Sequence, residues 1–231
     1  MAAALCFCAG FAFAGAEDFS SITPGTVVSG AGTNGAPVAG NTHFADFTLQ
    51  VVNNGTGPNS ALIFDSANPI AQDADLGTPN QGCNGPGVGA GGAPGESGEN
   101  CTAQGNLLVI ATSVADADND GLVDTPCDEA GGGELSFEFN HPVSIQSAGF
   151  VDLDTQEHAN ITFYNGNNLA GTKYVVGLGD NSYQDVDLSF YGQITKMIVE
   201  MSGSGAIAAV NYGNSTATQQ TTWGSVKTDF R

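Results

Sequence analysis

Between Asp116 and Asp124 the chain reads DADNDGLVD: Asp116, Asp118 and Asp120 alternate, Gly121 follows, and Asp124 lies three residues further on. Calcium takes six to eight oxygen ligands. Carboxylates at the first, third, fifth and ninth positions of a tight loop supply them, with glycine at the sixth for the turn and a carbonyl at the seventh. That carbonyl falls on Leu122. Like charges this close repel unless a cation sits among them, so the competing reading is a plain acidic loop kept in water. The twelfth position is Cys127 where an acid would complete the set; Asp128 or Glu129 substitutes only if the loop relaxes.

A second group of acids occupies FDSANPIAQDADLGTPN, where Asp65 closes an apolar run and Asp73 and Asp75 repeat at a spacing of two. A bound ion would pin this segment to the body of the protein, and an Asx-turn or cap role accounts for the same residues. Asp152 and Asp154, at the end of VSIQSAGFVDLD, are further candidates for either group, and nothing local selects between the two. Tyr164 stands beside Asn165, Asn167 and Asn168. A ring next to amides suits a sugar, whose apolar face packs on the aromatic while its hydroxyls bond to the amides. Packing in the core or on a sheet face is the commoner role for such a ring, and for Tyr174, Tyr183, Tyr191 and Trp223.

No catalytic pattern accompanies these groups. The chain has no G-x-S-x-G and no HExxH, and its three histidines are His43, His141 and His158. A formal G-x-G-x-x-G at Gly87, Gly89 and Gly92 has neither a strand before it nor a helix after it, and Pro86 and Pro94 mark a loop. Paired carboxylates for glycoside hydrolysis cannot be singled out among 24 acids.

Charge narrows the partners. Four basic residues (Lys173, Lys196, Lys227 and Arg231) face 24 acidic ones, for a net charge of −20. Nucleic acid and anionic membrane surfaces need cations on the protein, so both are poor partners and no nucleic acid is expected. Cations, neutral glycans, cell-surface polymers and basic proteins fit. Residues 2–14 are small or apolar and end in Ala12-Phe13-Ala14 and Ala14-Gly15-Ala16, which reads as an export signal over residues 1–16 without its positive start. The run is too short to span a bilayer, and no other stretch is suited to it. Removal near Ala16 would leave Cys83, Cys101 and Cys127. Cys83 and Cys101 flank a Gly-rich loop that a disulfide would close, and Cys127 competes as a partner. Sequons at Asn54, Asn100, Asn160 and Asn214 permit glycosylation in a eukaryotic setting.

The elements that must position these groups are strands. With 33 glycines and 41% hydrophobic residues, the chain has both a core and many turns. Period-two patterns dominate. Expected strands are Thr26–Val28, Phe44–Val52, Ala61–Asp65, Asn106–Thr112, Glu134–Phe139, Val143–Asp152, Ile161–Tyr164, Thr172–Val176, Tyr183–Phe190, Ile194–Met201 and Ala206–Tyr212. In ELSFEF, Leu135, Phe137 and Phe139 face one way; in DVDLSF, Val186, Leu188 and Phe190 do the same. The expected core adds Leu108, Ile110, Ile198 and Ala208. Asn165-Gly166 marks a hairpin. Residues 66–105 and 113–133 are long Gly- and Asp-rich loops, of the kind that are functional or mobile. The pattern is all-β: a jelly-roll-like β-sandwich of antiparallel strands over residues 17–212, followed by a polar tail over 213–231.

The acidic loop resembles the calcium loops of thrombospondin type 3 repeats and dockerins, departing from them at Cys127. From Ala61 to Tyr212 the phrases IFDSANP, GNLLVI, GGGELSFEF, ITFYNGN, LGDNSYQDVDL and MSGSGAIAAVNY resemble secreted microbial β-sandwich modules. That resemblance implies an extracellular jelly roll similar to carbohydrate-binding modules and brings no catalytic residue with it. The expectation is a secreted, calcium-stabilised, non-catalytic binding module for glycans or cell-surface material. The alternative is a self-associating structural subunit of an extracellular matrix, sheath or filament.

Overall fold

Alternation and turn chemistry set most element boundaries in the computed structural model, which describes residues 15–92 and 98–214. Residues 1–14 of the leader-like segment, and 215–231 of the tail with Trp223, Lys227 and Arg231, lie outside the described residues. The strands are β1 (Ala16–Glu17), β2 (Val27–Ala31), β3 (Pro37–Val38), β4 (Phe47–Asn53), β5 (Ser60–Asp65), β6 (Asn106–Ile110), β7 (Gly133–Val151), β8 (His158–Asn165), β9 (Asn168–Val176), β10 (Tyr183–Asp187), β11 (Gln193–Met201) and β12 (Ala206–Asn214). Every ladder between them is antiparallel. Among the described residues no helix is long and apolar enough to cross a membrane.

Pairing runs β3-β2-β5-β6-β12-β7-β11-β8-β9, with β1 beside β12 and with β4 and β10 beside β7. The 19-residue β7 serves two layers. Its first part pairs with β4 and β11, Phe137 lying opposite Leu49 and Met197. Its last part pairs with β10 and β12, Ala148 lying opposite Val186 and Val210. Between them the register against β11 jumps from Lys196↔Glu138 to Ile194↔Val143. Asn140-His141-Pro142 sits at the jump, where a residue without an N–H interrupts a ladder at least cost. Asn140 is held there by the 2.8 Å bonds that its N and Nδ2 donate to the carbonyls of Asp46 and Ala45. The sequence predicts two strands over this stretch; the structure has one that changes layers, as strands do at the corners of sandwiches.

The first layer is therefore β4-β7-β11-β8-β9 and the second β10-β7-β12-β6-β5-β2-β3. One core lies between them, joining Leu135, Phe137, Ile161 and Phe163 to Ile63, Leu108, Phe150 and Ile207. A second core lies on the outer side of the second layer. There Leu62, Phe64, Leu107 and Val109 meet Leu76 and Val123 from the two long insertions. Burial on both faces explains the unbroken apolar runs of β5 and β6. The insertions are a packed roof.

Leu108, Ile110, Leu135, Phe137, Phe139, Val186, Leu188 and Ala208 are buried, as expected. Ile198 is not in the core: Met197 and Val199 point inward and leave it half-buried on the outer face. Phe190 is 87% exposed, against the expected alternation. Strand β10 stops at Asp187, whose Oδ1 accepts bonds from Ser189 N and Oγ at 2.9 and 2.7 Å, and Ser189–Tyr191 turns as a 3₁₀ element. Asn100 is buried, so its sequon is closed in the folded chain.

Candidate functional site

The acidic loop is anchored by Val123, which is buried in the roof core and donates its N–H to the Gly25 carbonyl at 2.9 Å. Asn119 and Gly121 turn the chain with φ of 62° and 90°. The carboxylates then fold back over the turn. Asp116 Oδ1 and Oδ2 accept from the N–H of Asp120 and Gly121 at 3.1 and 3.0 Å, and Asp120 Oδ1 accepts from Leu122 N at 2.9 Å. One oxygen each of Asp116, Asp118 and Asp120 lies within 4.8 Å of the others. Asp124 stands apart from this group, its Oδ2 capping Ala117 N at 2.7 Å.

Asp128, read from sequence as a late ligand of that loop, is placed elsewhere. A bridge between Ala111 and Asp128 carries it to the end of β6 in the second layer, where its Oδ2 accepts from Gly205 N at 2.7 Å. There it joins acids from distant segments. Asp73 Oδ1 accepts from Cys127 Sγ at 3.1 Å, and its Oδ2 accepts from Asp128 N at 2.8 Å. Burial and the Asp73 carboxylate push the Cys127 thiol up to about 12, which makes it a proton donor. Asp75, Asp152 and Asp180 bring oxygens within 4.8 Å of one another. Asp152 follows β7 at φ 60°, accepting from Asn181 N at 2.6 Å and from Ser204 Oγ at 3.3 Å. Burial, and then the charge of Asp75, push the Asp152 carboxyl up to about 8. Burial pushes Asp128 up to about 7, with Asp73, Asp75 and Glu157 adding to the rise. Asp65 does not join this group: it forms the turn that sequence allowed as its other role, accepting from Ala67 N at 2.9 Å and Asn68 Nδ2 at 2.8 Å. Asp180 was not legible as a partner, since 105 residues separate it from Asp75 and only the fold brings them together.

Cys83 and Cys101 form a disulfide with Cα atoms 5.5 Å apart, and Cys127 is free. The bridge closes part of the roof, and an isolated bridge between Glu99 and Ser182 ties it to the start of β10.

The sugar-suited residues lie on the first layer. Asn165 and Asn168 close the β8–β9 hairpin, with Gly166 at φ 59° in its tip. Asn165, Asn167 and Asn168 are exposed. Ile161 and Phe163 enter the core, so Asn160, Thr162 and Tyr164 face outward. Register then sets three rows across the outer face. One reads Val52, Glu134, Glu200, Asn160, Tyr174; the next Gln50, Ser136, Ile198, Thr162, Thr172; the third Thr48, Glu138, Lys196, Tyr164. Tyr174 is 58% exposed and stacks on His158, with ring centroids 4.9 Å apart. Sequence reasoning missed His158 and Asn160 as neighbours of these rings, although the alternation in HANITFYN carries the signal. Separately, a cleft of about 570 Å³ lies between Thr26, Val38, Thr42 and His43, with Gly121 of the acidic loop on its wall.

No family model matches the chain. No curated protein matches it either. Among solved structures, one match is a mutant of the lectin binding domain of Lectinolysin complexed with Lewis b, at 6% identity and a TM-score of 0.30, covering 37% of this chain and 67% of that one. Another is a Streptococcus pneumoniae fucose binding module, SpX-3, at 13% identity and a TM-score of 0.26, covering 36% of this chain and 63% of that one. The chain thus spans about two thirds of the first and less than two thirds of the second.

Proposed function

We propose that this chain is an extracellular, non-catalytic glycan-binding module whose ligand lies on the outer face of the β4-β7-β11-β8-β9 layer, and that calcium stabilises the roof of the other layer. The observation that carries the reading is that first face. Among the described residues nothing covers it, and it sets Tyr164 and Tyr174 beside Asn160 and Thr162, with Gln50 across the same face on β4. Rings offer flat apolar surface to a sugar, and the amides and hydroxyls around them supply both donors and acceptors. The Cys83–Cys101 disulfide suits an oxidising, exported setting.

For calcium the donor chemistry fits: the clustered groups are carboxylate oxygens, which a hard cation prefers. Asp116, Asp118 and Asp120 would hold one ion. A second, which the sequence would give to Asp65, Asp73 and Asp75, is better served by Asp75, Asp152 and Asp180. Either ion would offset repulsion among carboxylates held close together.

A screen of the purified chain against a broad glycan set, in calcium and in chelator, tests the reading. Retention weakened about tenfold in Tyr164→Ala or Tyr174→Ala at unchanged melting temperature supports it. One observation favours the structural-subunit reading: β9 has nine residues and is the last strand of its layer. An open edge of that length can pair with another copy. No glycan retained, together with regular polymers under the electron microscope, would retire the module in favour of that reading.

A further inference from the structure

We infer that the glycan taken by this face carries protonated amines, as an amino-sugar chain does; the inference rests on the reading of the face as the glycan site. In the third row Lys196 balances Glu138 at 3.1 Å. Four residues along the same two strands, beyond the Ser136–Ile198 pair, Glu134 lies directly opposite Glu200. Val52 flanks the pair on one side, and Asn160 and then Tyr174 on the other, so the row contains no cation. Like charges directly opposite each other in an antiparallel pair work against the sheet. Lys173 and Lys196 are the lysines among the described residues, which contain no arginine. Lys173 pairs opposite inward-facing Ile161, away from this row. The charge that neutralises Glu134 and Glu200 therefore comes from outside the row.

Two further observations point the same way. Ser136 sits between Glu134 and Glu138 on the outer side of β7, because Leu135 and Phe137 on either side of it enter the core. It is only 3% exposed, and its Oγ has no hydrogen-bond partner. Buried hydroxyls are nearly always bonded, so this one marks a patch whose polar contacts are incomplete. At the two ends of the row, Val52 and Tyr174 are 48% and 58% exposed. They place apolar surface on both sides of the carboxylates.

The chemistry that matches is a chain of flat rings bearing amines. At about 4.8 Å between strands, the row crosses about 19 Å, room for several linked rings. An anionic glycan would be repelled, and a neutral one would leave the two carboxylates facing each other. A basic peptide has the charge. Added peptide strands, however, dock along a sheet edge through their backbone, whereas this row runs across the face at right angles to the strands.

The test compares oligomers of glucosamine and of N-acetylglucosamine of equal length by calorimetry on the full chain. It is run at physiological salt in mildly acidic buffer, with chelator throughout so that no metal bridges the acids. The glucosamine oligomer should bind about tenfold more tightly. Glu134→Gln/Glu200→Gln should erase that preference while still binding the acetylated oligomer, and Glu200→Gln alone should reduce it. Neither change should lower the melting temperature, because each removes repulsion. Asp154→Asn/Asp185→Asn, which deletes the same net charge from exposed sites elsewhere, should keep the preference. Equal affinity for the two oligomers, or a preference that survives in the double Glu variant, overturns this inference alone. Loss of both oligomers and of every glycan in the broad set overturns the glycan reading with it. Oligolysine bound as tightly as the glucosamine oligomer, and dependent on Glu134 and Glu200, would make the face a peptide site and contradict the inference.

Discussion

On the outer side of the β10-β7-β12-β6-β5-β2-β3 layer, Phe64, Leu107 and Val109 pack under Leu76 and Val123 of two long insertions. On the outer side of the β4-β7-β11-β8-β9 layer, Val52, Tyr174 and Val176 stand in solvent among Gln50, Asn160 and Thr162. The two layers share β7, and both are built of antiparallel strands. The difference lies in what the connections do. The described parts of the Gly- and Asp-rich connections pack over one face, carry clustered acids and form a disulfide. In the other layer the one hairpin between successive strands is β8–β9, and no described connection lies over the outer face, which keeps the rings and amides in reach of a ligand. Leu76 and Val123, with Ile70 and Val114 packed beside them, turn loops into a roof.

The largest expected effect breaks the roof. Phe64→Ala removes a ring that is 1% exposed and should cost about 3–5 kcal/mol in urea unfolding. Tyr174→Ala on the open face should stay within about 0.5 kcal/mol. A small loss for Phe64→Ala would show that the insertions do not pack. Next, Cys83→Ser/Cys101→Ser opens a loop spanning 18 residues and should cost about 2–4 kcal/mol. A shift confined to proteolysis between these positions, with unchanged urea unfolding, would mean that this part of the roof opens on its own.

Calcium should raise the melting temperature, by about 2.7 kcal/mol of stability at a hundredfold excess over its dissociation constant. Asp116→Ala/Asp118→Ala should remove most of that gain, and identical melts in calcium and chelator would contradict it. The smallest effect is one of pH. In the fold, Asp152 and Asp128 hold their protons up to about 8 and about 7. In the unfolded chain an aspartate releases its proton near about 3.9. Their contribution is therefore whole below the unfolded value and is lost as pH rises through the folded ones. In chelator the melting temperature should fall from mildly acidic to mildly alkaline buffer, and calcium should flatten the fall. A rise over that range would contradict the burial of these acids.

Much of the sandwich was legible because one-sided burial writes itself as alternation, as in ELSFEF. Ser-Ala-Leu-Ile-Phe and Leu-Leu-Val-Ile do not alternate, and that already says both faces are covered, though not by what. Pro142 misled because a proline ends a ladder locally without ending the strand. Ile198 was misplaced because an apolar residue between inward-facing neighbours carries no mark of which side it takes, and Phe190 because β10 ends at Asp187 and the alternation does not run on through the turn. At the candidate sites, short-range spacing found Asp116, Asp118 and Asp120, which one turn holds together. The Asp75–Asp152–Asp180 group comes from three loops and has no local signature. The rows on the open face are likewise a product of register, in which Glu134 meets Glu200 across strands 66 residues apart in sequence.

An amide NMR titration of the calcium-loaded chain with a glycan retained in the screen tests the central claim most directly. The open-face account predicts perturbations that concentrate on Asn160, Thr162, Tyr164 and Tyr174, spread across β8, β9 and β11, and disappear in Tyr174→Ala. Perturbations gathered instead on Val38, Thr42, His43 and Gly121, around the cleft beside the acidic loop, would contradict it and put the ligand on the roofed side of the molecule.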